Sequence, residues 1–219
     1  MLKVIAIDGP SGSGKGTLAR GLAGHFNFAY MDTGLIYRVI AYSGTTEGNC
    51  EDFSFEQYDK ICKQVPVTDF RTDEISLRAS QISKSEKIRA VATRLMRQFI
   101  ASSCEIFPGA ILDGRDIGTV VAPDAFCKFF VTADLKIRAE RRYADLKKTD
   151  ASASLEEIYK NLEKRDASDR NRSAAPLTLN DSYILIDTSE ESAEETLHRL
   201  IKIVEEKIKT AFPNALAWD

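Results

Sequence analysis

The chain has 219 residues, 43% of them hydrophobic and 29% charged, which suits one α/β domain with a sizeable core plus an inserted piece. A net charge of −3 and a pI near 5.6 argue against a protein whose main task is neutralising a nucleic-acid backbone. No apolar run reaches the length a bilayer span needs, and the four cysteines (Cys50, Cys62, Cys104 and Cys127) lack metal-ligand spacing, so reduced thiols in a cytoplasmic protein are expected.

Met1, Leu2 and Lys3 lead directly into the apolar run Val4, Ile5, Ala6 and Ile7, which reads as a first strand, and no signal peptide is expected. Gly9, Pro10, Ser11, Gly12, Ser13, Gly14, Lys15, Gly16 and Thr17 follow, then a helical stripe through Leu18, Ala19, Leu22, Ala23 and Phe26. Strand, glycine-rich loop and helix make a phosphate cradle: glycines turn backbone N–H groups inward, the helix N-terminus adds partial positive charge and Lys15 a full one. The plain alternative, a tight turn of small residues, has no use for the lysine. The residue after Lys15 is Gly16, and the hydroxyl arrives one place later at Thr17. An accompanying Mg²⁺ is therefore expected to be held mainly by phosphates and water, with no protein ligand directly assigned.

Residues 28–31 read as a second strand. Asp32 or Thr33 can cap the next helix, which carries Leu35, Ile36, Val39 and Ile40, with Tyr37 and Arg38 in its first turns. Spacing alone leaves Tyr37 as a packing residue and Arg38 as a solvated one equally open. Residues 43–72 are the least informative: a loop, a short helix through Phe55, Tyr58, Ile61 and Cys62, and an extended Val65, Pro66 and Val67 are predicted. Ser85 caps a long helical pattern through Ile88, Val91, Ala92, Leu95 and Phe99, with Arg89, Arg94 and Arg97 on its other faces. Ala110, Ile111 and Leu112 form a strand ending in Asp113, Gly114, Arg115 and Asp116, where open α/β sheets bind ligands. A bland turn would need only the glycine.

A fourth strand spans 127–131, and a helix capped near Thr132 or Asp134 carries Arg138, Arg141 and Arg142. Lys147 to Ser152 reads as an exposed loop, and Ser154 with Glu157 forms a capping box for a helix running into Arg165, Asp169 and Arg172. Their i, i+4, i+7 spacing puts all three on one face, either a site or an exposed salt-bridged surface. A last strand spans 183–187, and Thr188 with Glu191 is predicted to cap the closing helix through Leu197, Leu200, Val204 and Ile208. His25 and His198 lie on helices without a ligand set, and the tail with Trp218 has no assignable role. Five strands alternating with helices imply an α/β fold with a parallel sheet covered on both faces. The gap between the second and third strands makes residues 42–105 an insertion on a core of 1–41 and 106–219.

The order Gly14-Lys15-Gly16-Thr17 resembles the nucleoside monophosphate kinases, and the longer run from Ile7 to Thr17 resembles the bacterial cytidylate kinases. Four further stretches extend the resemblance over nearly the whole chain: Met31 to Gly34 with Tyr37 and Arg38; Ala79, Ser80 and Gln81 with Arg89; Asp113 to Val121; and Arg165 through Arg172 with Ala175, Pro176 and Leu177. The resemblance implies a P-loop core, an inserted monophosphate-binding region and a small lid near 142–154, the insertion moving as a unit. It implies that Thr33, Ser80, Arg89, Arg115, Asp116, Arg165, Asp169 and Arg172 line the acceptor site or clamp its phosphate. Thr33 stands where many members have serine, and the insertion is shorter than in the long bacterial form.

The implied reaction is transfer of the γ-phosphoryl of ATP to CMP or dCMP by a cytoplasmic monomer with Mg²⁺, without nucleic-acid or membrane partners. A phosphate acceptor needs no general base, only positioning and neutralisation of charge. Lys15, Arg115, Arg165 and Arg172 are the candidate catalytic residues, with Tyr37 and Arg38 beside the acceptor and Arg141 or Arg142 closing from the lid. Asp169, Arg89 and Ser80 are expected to read the cytosine. The competing readings are a P-loop kinase of another small molecule, such as UMP or AMP, and a nucleotide-regulated switch.

Overall fold

The computed structural model describes residues 3–211 apart from 104 and 149, so the expectations for Cys104 and for the Trp218 tail lie outside the described residues. Five parallel strands form one sheet: β1 (Lys3–Asp8), β2 (Ala29–Asp32), β3 (Gly109–Gly114), β4 (Cys127–Thr132) and β5 (Ile184–Asp187), in the order β2-β3-β1-β4-β5. β1 is central, with Ile5 opposite Ile111 of β3 and Cys127 of β4. Its side chains alternate between two dry faces, as a sheet covered on both sides requires. Val4 and Ala6 face α2 (Thr33–Tyr42), while Ile5 and Ile7 face α1 (Lys15–Phe26).

Between β2 and β3 lie α3 (Phe55–Gln64), a short 3₁₀ turn at Asp69–Arg71, α4 (Asp73–Ile82) and α5 (Glu86–Ser103). Ser54 and Gln57 form a reciprocal capping box on α3, and Ser85 accepts from Ile88 N–H at the start of α5, as its position predicts. The expected extended stretch at Val65, Pro66 and Val67 instead leaves α3 and turns towards Asp69, because Pro66 supplies a carbonyl to Asp69 N–H and no strand lies beside it. α4 was not anticipated. The apolar residues of its inner face are only Ile75, Ala79 and Ile82, and Leu77 on the other side is 64% exposed. The buried face of α5, Ile88, Val91, Ala92 and Leu95, shares one apolar cluster with Ala110 and Leu112 of β3 and with Ile36 and Ile40 of α2.

α6 (Leu135–Leu146) and α7 (Leu155–Asn171) pack as a hairpin on Ala139, Ile158 and Leu162, joined by the predicted exposed loop. Asp134 caps α6 through Lys136 N–H; Ser154 caps α7 through Glu157 N–H. α8 (Ala193–Ala211) closes the second sheet face with Leu200, Val204 and Ile208, each contributing about 1.5–3 kcal/mol by burial. The cap of α8 is corrected. Ser192 and Glu195 bond each other's backbone N–H groups there, while Thr188 donates its hydroxyl to Thr132 O of β4 and Glu191 pairs with Arg199.

Candidate active site

β1, β3 and β4 all end on the same edge of the sheet, and the glycine-rich loop rises between them. A Cβ at Gly9, whose φ is +148°, would stand 1.9 Å from Val131 O, so the loop must begin with glycine. Gly14 takes φ +86° and starts α1 without a side-chain cap. Lys15 is buried, its Nζ donating to Pro10 O at 2.6 Å and Ser13 Oγ at 3.4 Å. Burial and Arg115 push its ammonium well below the usual lysine range, opposed by Asp113 and Asp8. Two other loop carbonyls are met from outside: Ser11 O accepts from Arg138 at 2.9 Å, and Ser13 O lies 3.4 Å from the Thr188 hydroxyl, which it shares with Thr132 O. Arg138 is itself paired with Asp166 of α7 at 2.7 Å, both almost fully buried.

Two cavities meet beside this loop. The larger, about 700 Å³, is walled by the loop itself, with Thr17, Asp32, Arg71, Asp113, Arg142 and Thr188 among the other lining residues. The smaller holds Thr33, Tyr37, Ser80, Arg89, Asp116, Asp169 and Arg172. Gly34, Arg38, Gly114, Arg115 and Arg165 line both.

The residues at that junction lack negative charge. Arg38 Nε is buried without a hydrogen bond, and burial together with Arg71, Arg142 and Arg115 lowers its affinity for the proton against the pull of Asp32. Burial and Arg115 push Arg165 down to about 10, with further pressure from Arg38 and Arg142 and relief from Asp169. Arg172 Nη2 is also buried without a hydrogen bond, though 3.7 Å from Asp116, and its Nε donates to Ala175 O at 2.7 Å. Cations crowded in this way, two of them with an unfilled donor, await an anion.

At the far end of the smaller cavity, Arg89 Nη2 donates to Asp116 at 2.5 Å and its guanidinium lies over the Tyr37 ring. Burial pushes the Tyr37 hydroxyl up to about 12. Arg115 Nε donates to Asp169 at 2.7 Å, and Arg172 approaches the same carboxyl at 3.6 Å. Burial opposes ionisation of Asp169, but Arg115, with Arg165 and Arg172, holds it below the usual carboxylate range. Thr33 donates to Asp113 O at 2.6 Å, so Thr33 is not the side-chain cap of α2, nor does Asp32 cap it.

The cytidylate kinase family model matches residues 5–206. The chain belongs to the cytidylate kinase family. Cytidylate kinase of Azorhizobium caulinodans is 41% identical over 205 residues, covering 92% of this chain and 98% of that protein. That of Bartonella bacilliformis is 39% identical (94% and 96% covered), and that of Thermosipho melanesiensis 38% (94% and 98%). The fold is shared more widely. TT1252 from Thermus thermophilus superposes with a TM-score of 0.53 at 16% identity, covering 94% of this chain and 98% of that one. Shikimate kinase from Bacteroides thetaiotaomicron gives 0.51 at 13% identity, covering 94% and 99%.

For a cytidylate kinase family member, then, the structure brings every residue singled out from the sequence except Gly9 and Pro10 to the walls of the two cavities. Those two form the base of the loop. Arg38 is half-buried where the two cavities meet, and the Arg165, Asp169, Arg172 face lines a cavity rather than an exposed surface. Of the two lid candidates, Arg141 is tied to Thr188 O at 2.5 Å and to its hydroxyl at 3.0 Å, whereas Arg142 is exposed. Arg94 and Arg97 serve backbone carbonyls, of Glu51 and Phe53 and of Val120 and Val121. His25 and His198 are exposed. Sequence reasoning missed Asp8, Arg71, Arg138 and Asp166. Only Asp8 had a local signal, its place at the strand end immediately before Gly9.

Proposed function

We propose that the protein transfers the γ-phosphoryl of ATP to CMP or dCMP, giving ADP and CDP or dCDP. The observation that carries this is the pair of adjoining cavities with Arg38, Arg115 and Arg165 at their junction. Donor phosphates would lie on the loop, with Lys15 leaving Pro10 O for a phosphate oxygen. The acceptor phosphate would meet Arg38, Arg115, Arg165 and Arg172, whose planar forks bind two oxygens and stay charged. Both reacting groups are phosphate oxygens, so alignment and charge neutralisation carry the rate and no base is required.

The residues present fit Mg²⁺. No cluster of three or more His, Cys, Asp or Glu occurs among the described residues, while Thr17, Asp32 and Asp113 offer oxygens on the donor-cavity wall. Such a wall suits an ion held chiefly by phosphates and water with one or two carboxylates. Bound there with ATP, it would neutralise phosphate charge. The free thiols of Cys50, Cys62 and Cys127 support a cytoplasmic protein, and two cavities built by one chain support a monomer. Among the described residues, no helix is long and apolar enough to cross a membrane.

Base selection has a revised assignment. The sequence groups Asp169 with Arg89, but Arg89's partner in the structure is Asp116, and Asp169 is committed to Arg115 at the phosphate end. Asp116 is therefore the better acceptor for the cytosine amine, Arg89 the donor to N3 or O2, and Ser80 the remaining polar group. Uracil presents O4 and N3–H at these points, leaving like polarities opposed, a mismatch that can exceed about 10³-fold in selection. A coupled ADP-release assay with CMP, dCMP, UMP and AMP tests the whole reading; ADP release independent of any monophosphate would sink it. Asp116→Asn should narrow the CMP/UMP ratio of kcat/KM, whereas Asp169→Asn should lower both substrates together. The opposite pattern would return base recognition to Asp169.

A further inference from the structure

Asp8 is the last residue of β1 and is fully buried, yet it binds nothing of its own loop. Its Oδ1 accepts from Ile117 N–H at 2.9 Å, and its Oδ2 from Gly118 N–H at 2.8 Å and from the Tyr183 hydroxyl at 2.6 Å. Ile117 and Gly118 directly follow Arg115 and Asp116 and begin a single π-helical turn, Ile117–Val121. One carboxylate thus joins the stem of the donor loop, at Gly9, to the segment that presents two acceptor-cavity residues. Tyr183 reaches it from the residue before β5, its ring set edge-on against Phe130 at 6.0 Å. Gly118 makes the approach possible, since a Cβ there would stand 2.7 Å from the Tyr183 oxygen.

We propose that Asp8 and Tyr183 are positioning residues for phosphoryl transfer, fixing Arg115 and Asp116 relative to the donor loop; this rests on the acceptor site proposed above. Neither side chain lines the donor or acceptor cavity, so Tyr183 acts only through Asp8 and the 115–118 segment, while Asp8 also supports the charge of Lys15. Three donors converge on one buried carboxylate, and removing one lets the segment drift by a fraction of an ångström. Misplacement on that scale costs rate when the reacting oxygens must be in line. A purely structural role would show as lost thermal stability alone.

The test is Tyr183→Phe, which keeps the ring and removes one hydroxyl, with Asp8→Asn as the second variant. Both are assayed well below their melting temperatures beside the wild type. The expected result for Tyr183→Phe is a kcat/KM for CMP lowered about tenfold, the size of losing one hydrogen bond to a charged acceptor, with the KM for ATP unchanged. Asp8→Asn should lose more, because its amide sets a donor against a donor. A lower melting temperature with kcat/KM unchanged in Tyr183→Phe would overturn the inference, whether or not Asp8→Asn folds. Wild-type protein with no CMP-dependent ADP release would remove the acceptor reading itself, and the inference with it.

Discussion

Lys15 and Asp113 make a buried pair of opposite tendencies at the donor loop. Lys15→Ala is expected to lose about 10²-fold or more in kcat, the scale of removing a donor aimed at developing charge, while circular dichroism shows an intact fold. Near-normal turnover would remove it from the donor site. Burial and the neighbouring Asp32 raise the Asp113 carboxyl from its ordinary 3.8 to about 6, against Lys15 and Arg115. A raised carboxyl keeps its proton longer in the folded state, so its contribution is full below about pH 4 and is lost as pH rises through about 6. In nucleotide-free protein, Asp113→Asn should therefore raise the melting temperature at pH 7 relative to wild type and leave it nearly unchanged at pH 4. An equal shift at both pH values would refute the assignment. Side chains of this kind were legible where a motif surrounds them. Asp8 gave only a hint, because its partners lie 109, 110 and 175 residues away, and two of them are backbone N–H groups of no particular residue type.

The α6–α7 hairpin meets the donor loop through Arg138 and Asp166. Arg138 also donates to Ala133 O at 2.9 Å, and one Asp166 oxygen is buried without a partner. Asp166→Ala would leave a buried guanidinium uncompensated, and a loss of about 3–5 kcal/mol in urea unfolding is expected. The double variant Arg138→Met with Asp166→Leu should recover much of it; additive losses would show that the pair is not a unit. Elements with a clean apolar period, α1, α5 and α8, were readable in advance. α4 was not, because its stripe is short, Ile75, Ala79 and Ile82, and Leu77 puts a further apolar residue on the water-facing side. The cap of α8 was ambiguous for a different reason: Thr188 with Glu191 and Ser192 with Glu195 both satisfy the local S/T-x-x-E rule. What decides between them is tertiary, the β4 carbonyl that takes the Thr188 hydroxyl.

For the molecule as a whole, the boundary of the moving part can be drawn more tightly than the sequence allowed. α5 packs against β3 itself, while residues 43–85 join the same apolar cluster through Cys50, Phe53, Tyr58 and Phe70; 43–85 is the unit expected to shift on that cluster, with the 142–154 lid. Beside the donor cavity the 43–85 unit also reaches the core through Arg71, 3.5 Å from Asp32. Arg71 is 56% exposed at its side chain, so this pair adds little on its own. Binding a bisubstrate analogue should shrink the radius of gyration and slow amide exchange in 43–85 and 142–154, while α5 exchanges as before. Unchanged scattering and exchange would reject closure. The parallel sheet and both covered faces were implicit in the strand–helix alternation; the strand order was not. The division of labour within the insertion was not, since it depends on which helix finds the sheet first.

The seating of Gly9 under Val131 O has a consequence for how motion and chemistry coexist here. With its first residue wedged beneath a neighbouring strand, the loop takes its coordinates from the sheet. Of the cavity-lining residues, Arg71 and Ser80 of the 43–85 unit and Arg142 of the lid ride on segments expected to travel. The loop is the datum from which those travellers are measured, and a methyl group at position 9 would shift the origin rather than lengthen any one contact.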